Sequence, residues 1–168
     1  MEKVVVSGVT YNKNEAKIEI MRVPDVPGVA AKIFRPIADA NIVVDMIIQT
    51  SSTEKGYANM AFTVPKSDFA KTLQIVKGTL KEIGGKGVHA DQDIAKVSIV
   101  GVGMRTHAGV AARMFEVLAE ERINIEMIAT SEIKVSVVVN SKYGELAMRA
   151  LHDAFVDNAA LQFPGENV

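Results

Sequence analysis

The chain contains no cysteine and no tryptophan, and aromatic residues make up only 5% of its 168 positions. Without cysteine there is no disulfide, no thiol nucleophile and no thiolate ligand for a metal ion. The three histidines are too scattered along the sequence to suggest a metal site. So few aromatic side chains also disfavour a surface on which nucleic-acid bases stack.

The chain also lacks a charge excess of either sign. Its 19 basic and 20 acidic side chains give a formal net charge of −1, which argues against a protein that neutralises nucleic-acid phosphates. Its apolar stretches, such as Ile42 to Ile48, are far shorter than the roughly 20 residues that span a bilayer. The first residues, MEKVVVSG, have too short an apolar run for a signal peptide, and we expect none. We therefore expect a cytoplasmic protein with no nucleic-acid partner and no membrane partner.

Catalytic motifs are missing as well. There is no GxxxxGK[ST], no GxSxG and no HExxH. The run Gly84–Gly87 (GGKG) has the wrong spacing for a phosphate loop and is interpreted as a helix end followed by a turn. The pair Gly101 and Gly103 lacks the third glycine of a dinucleotide fingerprint. The sequence therefore predicts no catalytic machinery and no cofactor in this chain.

The most informative feature that is present is an internal repeat. Residues 28–51 (GVAAKIFRPIADANIVVDMIIQTS) align without a gap with residues 109–132 (GVAARMFEVLAEERINIEMIATSE), and nine of the 24 positions are identical. This identity continues through a helix and into the following strand. It therefore favours a duplication over a chance similarity of two amphipathic helices.

Each copy shows the same order of predicted elements. Strands are indicated by alternating or continuous apolar runs, and helices by an apolar stripe with a 3.6-residue period. In the first copy the predicted strands cover 17–23, 42–49, 57–64 and 86–90, and the predicted helices cover 29–40 and 67–84. Ser67 is the expected N-cap of the second helix. The order predicts an α+β fold of the ferredoxin-like βαββαβ type.

The second copy lacks a convincing last strand. Its predicted elements are a strand at 95–102, a helix at 109–121, strands at 124–131 and 133–140, and a helix at 141–155. Residues 3–11 (KVVVSGVTY) form a strong strand that the first copy does not need. Because an unpaired apolar edge promotes aggregation, we expect this strand to complete the sheet of the second copy, although a lone edge strand is the alternative.

The first copy is then inserted into the second. The predicted units are residues 15–91 for the first, and residues 1–14 together with 92–160 for the second. A flexible tail is expected at residues 161–168, where the sequence is polar and ends in PGENV.

Two corresponding loops join the first strand of each copy to its first helix, at residues 24–30 (PDVPGVA) and 105–111 (RTHAGVA). Small residues leave the first N–H groups of the helix accessible at the positive end of its dipole, where a carboxylate binds well. Asp25 is placed to accept a hydrogen bond from an ammonium or hydroxyl group. The first loop therefore suits a free amino acid, but an ordinary helix start with Asp25 as a turn residue is the simpler interpretation of the loop alone.

The strand that follows the first helix is apolar on both faces. Strict alternation places Asp45 and Gln49 on one face with Ile47, and Met46 on the other. Helices of one copy cover only one face, so we expect the other to meet a second copy or a second chain, and we expect a homodimer. Asp45 and Gln49 would then be buried polar groups that need a partner, either a ligand or a hydrogen bond across an interface.

The residues that carry a family resemblance are VPDVPGVAAKIF with VVDMIIQ in the first copy, and KVSIVGVGM, GVAARMF, INIEMIATSEIKVSV and ALHDAF in the second. Together they resemble the paired ACT domains in the regulatory part of aspartate kinases, from Val6 to about Phe155. The resemblance implies amino-acid sensing, with the first ACT unit inserted in the second. It also implies feedback inhibition of aspartate-family amino-acid biosynthesis by threonine, lysine or both.

The resemblance also implies partners and site residues. The chain lacks the kinase domain of full-length relatives, so it resembles a separate regulatory (beta) subunit that works with a catalytic (alpha) aspartate kinase subunit, or a fragment of a longer enzyme. A threonine-type site, completed by the second unit of a partner chain, would use Asp25, Gly28, Val29, Ala30, Gln49, Asn124 and Ile125. A lysine-type site would use Asp45, His107, Gly109, Val110, Ser131 and Glu132.

Three alternatives remain open at this point. The chain could be an ACT regulatory module of another amino-acid biosynthetic enzyme, such as acetohydroxyacid synthase, although the inserted unit speaks against it. It could be a ferredoxin-like RNA-binding domain, which the thin aromatic content disfavours. A small enzyme is the third alternative and would have to show turnover.

Overall fold

A computed structural model describes residues 5–104 and 109–157 of the chain. The strands are β1 (Val5–Asn12), β2 (Glu15–Pro24), β3 (Asp45–Ser51), β4 (Tyr57–Pro65), β5 (Gly87–Asp91), β6 (Ile94–Val102), β7 (Met127–Thr130) and β8 (Lys134–Asn140). The α-helices are α1 (Val29–Asp39), α2 (Phe69–Ile83), α3 (Gly109–Glu120) and α4 (Gly144–His152). Short 3-10 turns precede α2 and α4, and a π-helical turn follows α4.

The chain divides into two compact units. The inserted unit comprises residues 14–92, and the outer unit comprises the described residues up to 13 and from 93 onward. The inserted unit contains an antiparallel sheet of order β3-β4-β2-β5, and the outer unit one of order β1-β6-β8-β7. β1 therefore takes the place in the outer sheet that β5 takes in the inserted sheet. The predicted α+β fold, with two ferredoxin-like units and the first inserted in the second, is confirmed.

Each unit has its own apolar core. In the inserted unit, Ile18 and Phe62 on the sheet pack with Ile33 and Val76 on the two helices, and Phe34 meets Phe62 edge to face with ring centroids 5.1 Å apart. The outer unit repeats this arrangement with a core of its own, which contains Val97, Ile99, Met114, Leu118, Val137 and Leu151. Burial of these apolar side chains is the main force that holds each helix pair on its sheet.

The strands after α1 and α3 begin later than the sequence predicts, at Asp45 instead of 42 and at Met127 instead of 124. The cause is a helix cap that both copies share. Asn41 and its counterpart Arg122 adopt positive φ angles of 58° and 57°, and the next N–H groups bond back to Ile37 and Leu118. The apolar residues at 42 and 123 are buried as part of this cap and not as strand residues.

The start of α2 also differs from the prediction. Ser67 lies in the 3-10 turn Lys66–Asp68, and the N-cap of α2 is Asp68 without a side-chain capping bond. The prediction of Ser67 as N-cap is therefore wrong. The other end of α2 is as predicted, because Gly84 takes a left-handed φ of 78° and donates its N–H to the Leu80 carbonyl.

A bulge in β3 changes the predicted faces of that strand. Asp45 lies opposite Thr63 on β4, but after a register shift Gln49 lies opposite Met60. Residues directly opposite each other in an antiparallel pair share a face, and Thr63 and Met60 are on different faces of β4. The prediction that Asp45 and Gln49 share a face is therefore wrong, because the alternation is interrupted where Met46 adopts a positive φ of 48°.

Candidate functional site

A pocket of about 360 Å³ opens at the N-terminal end of α1. Its walls come from the end of β2, the loop after it, the first turn of α1, and the facing parts of β3 and β4. The lining residues are Val23, Pro24, Asp25, Val26, Pro27, Gly28, Val29, Ala30, Gln49, Ala58 and Met60. The volume lies within the range of sites that hold small molecules.

The first turn of α1 presents hydrogen-bond donors to this pocket. Gly28 is the N-cap, with a φ of 92°, so there is no capping side chain. The N–H of Val29 bonds to the Val26 carbonyl, and the N–H of Lys32 bonds to the Gly28 carbonyl. Within the described residues the N–H groups of Ala30 and Ala31 have no backbone acceptor, as in the first turn of any α-helix, and such groups can bind an anion.

Two polar side chains stand on different walls of the pocket. Asp25 lies on the β2–α1 loop and is exposed, and its own N–H donates to the Gly56 carbonyl at 2.9 Å. Gln49 lies on β3 and reaches the pocket because the bulge turns it to the helix-facing side of the sheet. Without the bulge Gln49 would share the face of Asp45 and point away from the loop.

The floor of the pocket is apolar. Val23, Val29, Ala58 and Met60 are all less than one-tenth exposed and belong to the core of the inserted unit. A ligand that enters here meets backbone donors at one end, a carboxylate and an amide on its flanks, and apolar side chains below. This arrangement suits a small zwitterion with a short side chain.

A cluster beside the pocket was not predicted from the sequence. The Arg22 guanidinium lies 4.3 Å from the centre of the Tyr57 ring and donates to the Glu54 carboxylate, while the Arg22 N–H donates to Asn59 Oδ1 at 2.9 Å. The hydrogen bond from Arg22 lowers the pKa of Glu54 and raises that of Arg22. The partners lie more than thirty positions apart, so no local pattern could have indicated this contact.

The structure thus brings five predicted residues of the threonine-type site to one pocket: Asp25, Gly28, Val29, Ala30 and Gln49. The other two belong to the outer unit, in the segment between α3 and β7. There Asn124 is exposed, and Ile125 is partly buried against the outer core.

The residues of the predicted lysine-type site are spread over both units. Gly109 and Val110 open α3, while Ser131 Oγ accepts hydrogen bonds from the N–H groups of the β7–β8 turn, which contains the exposed Glu132. Asp45 belongs to the inserted unit, where its Oδ1 accepts from the Met46 N–H at 2.8 Å. His107 lies outside the described residues.

In the described ranges no cluster of three or more histidine or acidic side chains is arranged to hold a metal ion. None of the helices in that part of the chain has the length and apolar character needed to cross a bilayer.

Comparison with known proteins identifies both units. Models of the ACT domain family match residues 17–81 and 97–155. An aspartate kinase of Stutzerimonas stutzeri is 56% identical over 155 residues, and one of Pseudomonas fluorescens is 57% identical over the same length. These matches cover 92% of this chain but only 37% of each relative, so the chain spans little more than a third of the curated relatives.

A solved structure of aspartokinase alpha and beta subunits contains a chain that is 52% identical, with a TM-score of 0.83. The ligand-free regulatory subunit of aspartate kinase from Thermus thermophilus is 45% identical, with a TM-score of 0.84. Each alignment covers 90% of this chain and 99% of the other. The chain therefore belongs to the family of tandem ACT domains that form the regulatory region of aspartate kinases.

Proposed function

We propose that the chain is the amino-acid-sensing regulatory subunit of an aspartate kinase, and that it binds threonine, lysine or both to inhibit the pathway that makes them. The observation that carries the proposal is the pocket at the start of α1. It combines unpaired N–H donors, the Asp25 carboxylate and the Gln49 amide around an apolar floor. A free amino acid has complementary groups for each of them.

In this proposal threonine lies in the pocket with its carboxylate on the N–H groups of Ala30 and Ala31. Its ammonium group donates to Asp25, and its hydroxyl group bonds to Gln49. The positive end of the helix dipole favours the carboxylate, and the short side chain rests on the apolar floor. Lysine, if it binds, uses the second set: Asp45, His107, Gly109, Val110, Ser131 and Glu132.

A second copy of the chain completes the threonine-type site with its Asn124 and Ile125. Two equivalent isoleucines support such a dimer, because Ile47 on β3 and Ile128 on β7 are 54% and 43% exposed on edge strands of their sheets. Edge strands that carry exposed apolar side chains are suited to pairing with another chain. The relative with alpha and beta subunits suggests a catalytic alpha subunit as the further partner.

Inhibition then follows from unequal binding. An effector at the interface of two chains stabilises one dimer arrangement over another, and the attached catalytic subunit responds to that arrangement. Couplings of this kind are typically about 1–3 kcal/mol. An effector with equal affinity for both arrangements would shift nothing.

Calorimetry with threonine and with lysine tests the proposal. We expect heat of binding and a raised melting temperature with at least one of them. No heat and no thermal shift with either amino acid would refute the assigned function.

Gln49→Ala tests the site itself. Loss of one hydrogen bond to the ligand should weaken threonine binding about tenfold and leave the free energy of unfolding nearly unchanged, because Gln49 is exposed. Gln74→Ala, on the exposed face of α2 away from the pocket, is the matched control and should bind as the wild type does. Equal affinity in both variants would contradict the placement of threonine against Gln49.

A further inference from the structure

The cluster of Arg22, Glu54, Tyr57 and Asn59, which we call the Arg22 clasp, touches no group that the proposed effector contacts use. Arg22 lies on β2 just before the pocket loop, whereas its three partners lie on the β3–β4 hairpin. The Arg22 N–H and guanidinium group both bond to that hairpin, and the guanidinium group covers the Tyr57 ring. Hydrogen bonds and a cation–π contact therefore fix Arg22 to one hairpin.

The clasp joins the two walls of the pocket that carry its polar side chains. The loop with Asp25 starts three residues after Arg22, and the Asp25 N–H bonds to Gly56 at the tip of the same hairpin. Gln49 lies on the strand that leads into this hairpin, and Ala58 lies on the strand that leaves it. The distance between the Asp25 and Gln49 walls therefore depends on how firmly the hairpin is held to the end of β2.

The backbone at Arg22 supports a positioning role. Arg22 adopts a positive φ of 54° within an irregular stretch of the β2–β4 register between Ile20 and Val23. A non-glycine residue in this conformation costs free energy unless its surroundings hold it there. The bond from the Arg22 N–H to Asn59 fixes the strained residue, and the ion pair with Glu54 fixes its side chain.

We propose that the Arg22 clasp positions the effector pocket by holding the Asp25 loop against the β3–β4 hairpin, so that Arg22 and Glu54 control effector affinity without touching the effector. This inference rests on the proposed function of the pocket. A role in global stability alone does not explain the clasp, since Arg22 is only half-buried and the Glu54 side chain is 51% exposed, so solvent screens the ion pair.

The test compares threonine affinity in Arg22→Ala, Glu54→Gln and the double variant. Each single change should weaken binding about threefold to tenfold, and the double variant should be no weaker than Arg22→Ala, because both changes remove the same contact. Arg22→Lys keeps a cation over Tyr57 and beside Glu54, and should restore most of the affinity. Arg35→Ala, which breaks the exposed pair between Arg35 and Asp39 on α1, is the matched control and should bind as the wild type does.

A second measurement needs no effector. Amide hydrogen exchange at Asp25 reports the bond to Gly56, and it should become faster in Arg22→Ala and Glu54→Gln but not in Arg35→Ala. Wild-type protein that binds neither threonine nor lysine would refute the proposed function, yet the exchange rates would still test the clasp. The clasp would be overturned if the wild type bound threonine and Arg22→Ala and Glu54→Gln bound it equally well, or if exchange at Asp25 were unchanged in these variants. If Arg22→Ala does not fold, Glu54→Gln supplies both measurements.

Discussion

Gly28 both caps α1 in a left-handed conformation and lines the candidate pocket. It caps α1 with a φ of 92°, and an added Cβ atom would meet nothing within 4 Å. A substitution there is therefore opposed by backbone strain and not by a steric clash, since side chains other than glycine rarely adopt this conformation. The same conformation aims the first N–H groups of α1 toward the pocket.

We expect Gly28→Ala to lower the free energy of unfolding by about 1 kcal/mol, because alanine is strained at a positive φ. Gly78→Ala is the matched control. It lies inside α2, where an added Cβ also meets nothing within 4 Å, and should raise the free energy of unfolding by about 0.5–1 kcal/mol. Urea denaturation of the two variants measures both effects, and equal shifts of the same sign would show that the φ angle at Gly28 is not the controlling factor.

At the scale of elements, the order of strands and helices could be predicted from the sequence, and their irregularities could not. The spacing of apolar residues and the internal repeat indicate which segments are strands and which are helices. The apolar first strand, which has no partner in the first copy, predicts the insertion. The bulge in β3 depends on how β4 pairs with it, which is a long-range property. The positive φ angle at Asn41 has a sequence signal, because asparagine is also found at left-handed helix ends, but Arg122 at the equivalent position has none.

The candidate site shows the same limit. The loop with Asp25 and the small residues after it could be found by sequence, because a helix start has local signals. Strict alternation predicts Asp45 and Gln49 on one face because it assumes no bulge. The Arg22 clasp was missed because its partners approach only when β2 and the β3–β4 hairpin come together.

Gly144 shows how tightly β1 is built into the outer unit. An added Cβ at this first residue of α4 would lie 2.4 Å from Tyr11 Cε2 and 2.7 Å from the Ala95 Cβ atom. We expect Gly144→Ala to lower the free energy of unfolding by about 1–3 kcal/mol, because a packed core must shift to accept the methyl group.

Gly8→Ala is the control on the same strand that supplies Tyr11, since an added Cβ at Gly8 meets nothing within 4 Å. Thermal denaturation of both variants checks the contrast. If the melting temperature fell as far in Gly8→Ala as in Gly144→Ala, the contact of the added methyl group with Tyr11 and Ala95 would not be the cause of the destabilisation.

For the molecule as a whole, the insertion makes one unit removable in principle. Asn12 lies opposite Lys96 in the outer sheet. The two points at which the chain leaves and re-enters the outer unit are therefore adjacent, as in a β-hairpin. Within the inserted unit, Lys17 lies opposite Asp91, so its own ends also meet. The connection between units therefore consists of two neighbouring strand ends in each case.

We expect a chain in which Asn-Gly replaces residues 14–92 to fold as the outer unit alone, because a short connection then closes the antiparallel pair of Asn12 and Lys96. It should keep its strand signal in circular dichroism and lose the binding that depends on Asp25 and Gln49. A second shortened chain that also lacks residues 1–12 should not fold, because β6 would lose one of its two neighbours and become an uncovered edge strand. Cooperative unfolding of that second chain would show that β1 is dispensable.

The position of β1 also constrains how the protein can be made by a ribosome. β1 is synthesised before the inserted unit, yet β6, its neighbour among the described strands of the outer sheet, emerges only after the complete inserted unit. The inserted unit can fold as soon as it leaves the exit tunnel, whereas the apolar residues of β1 stay exposed until β6 is available to pair with it. Closure of the inserted unit brings its two ends together, and so lowers the entropy cost of pairing β1 with β6 once β6 has been translated.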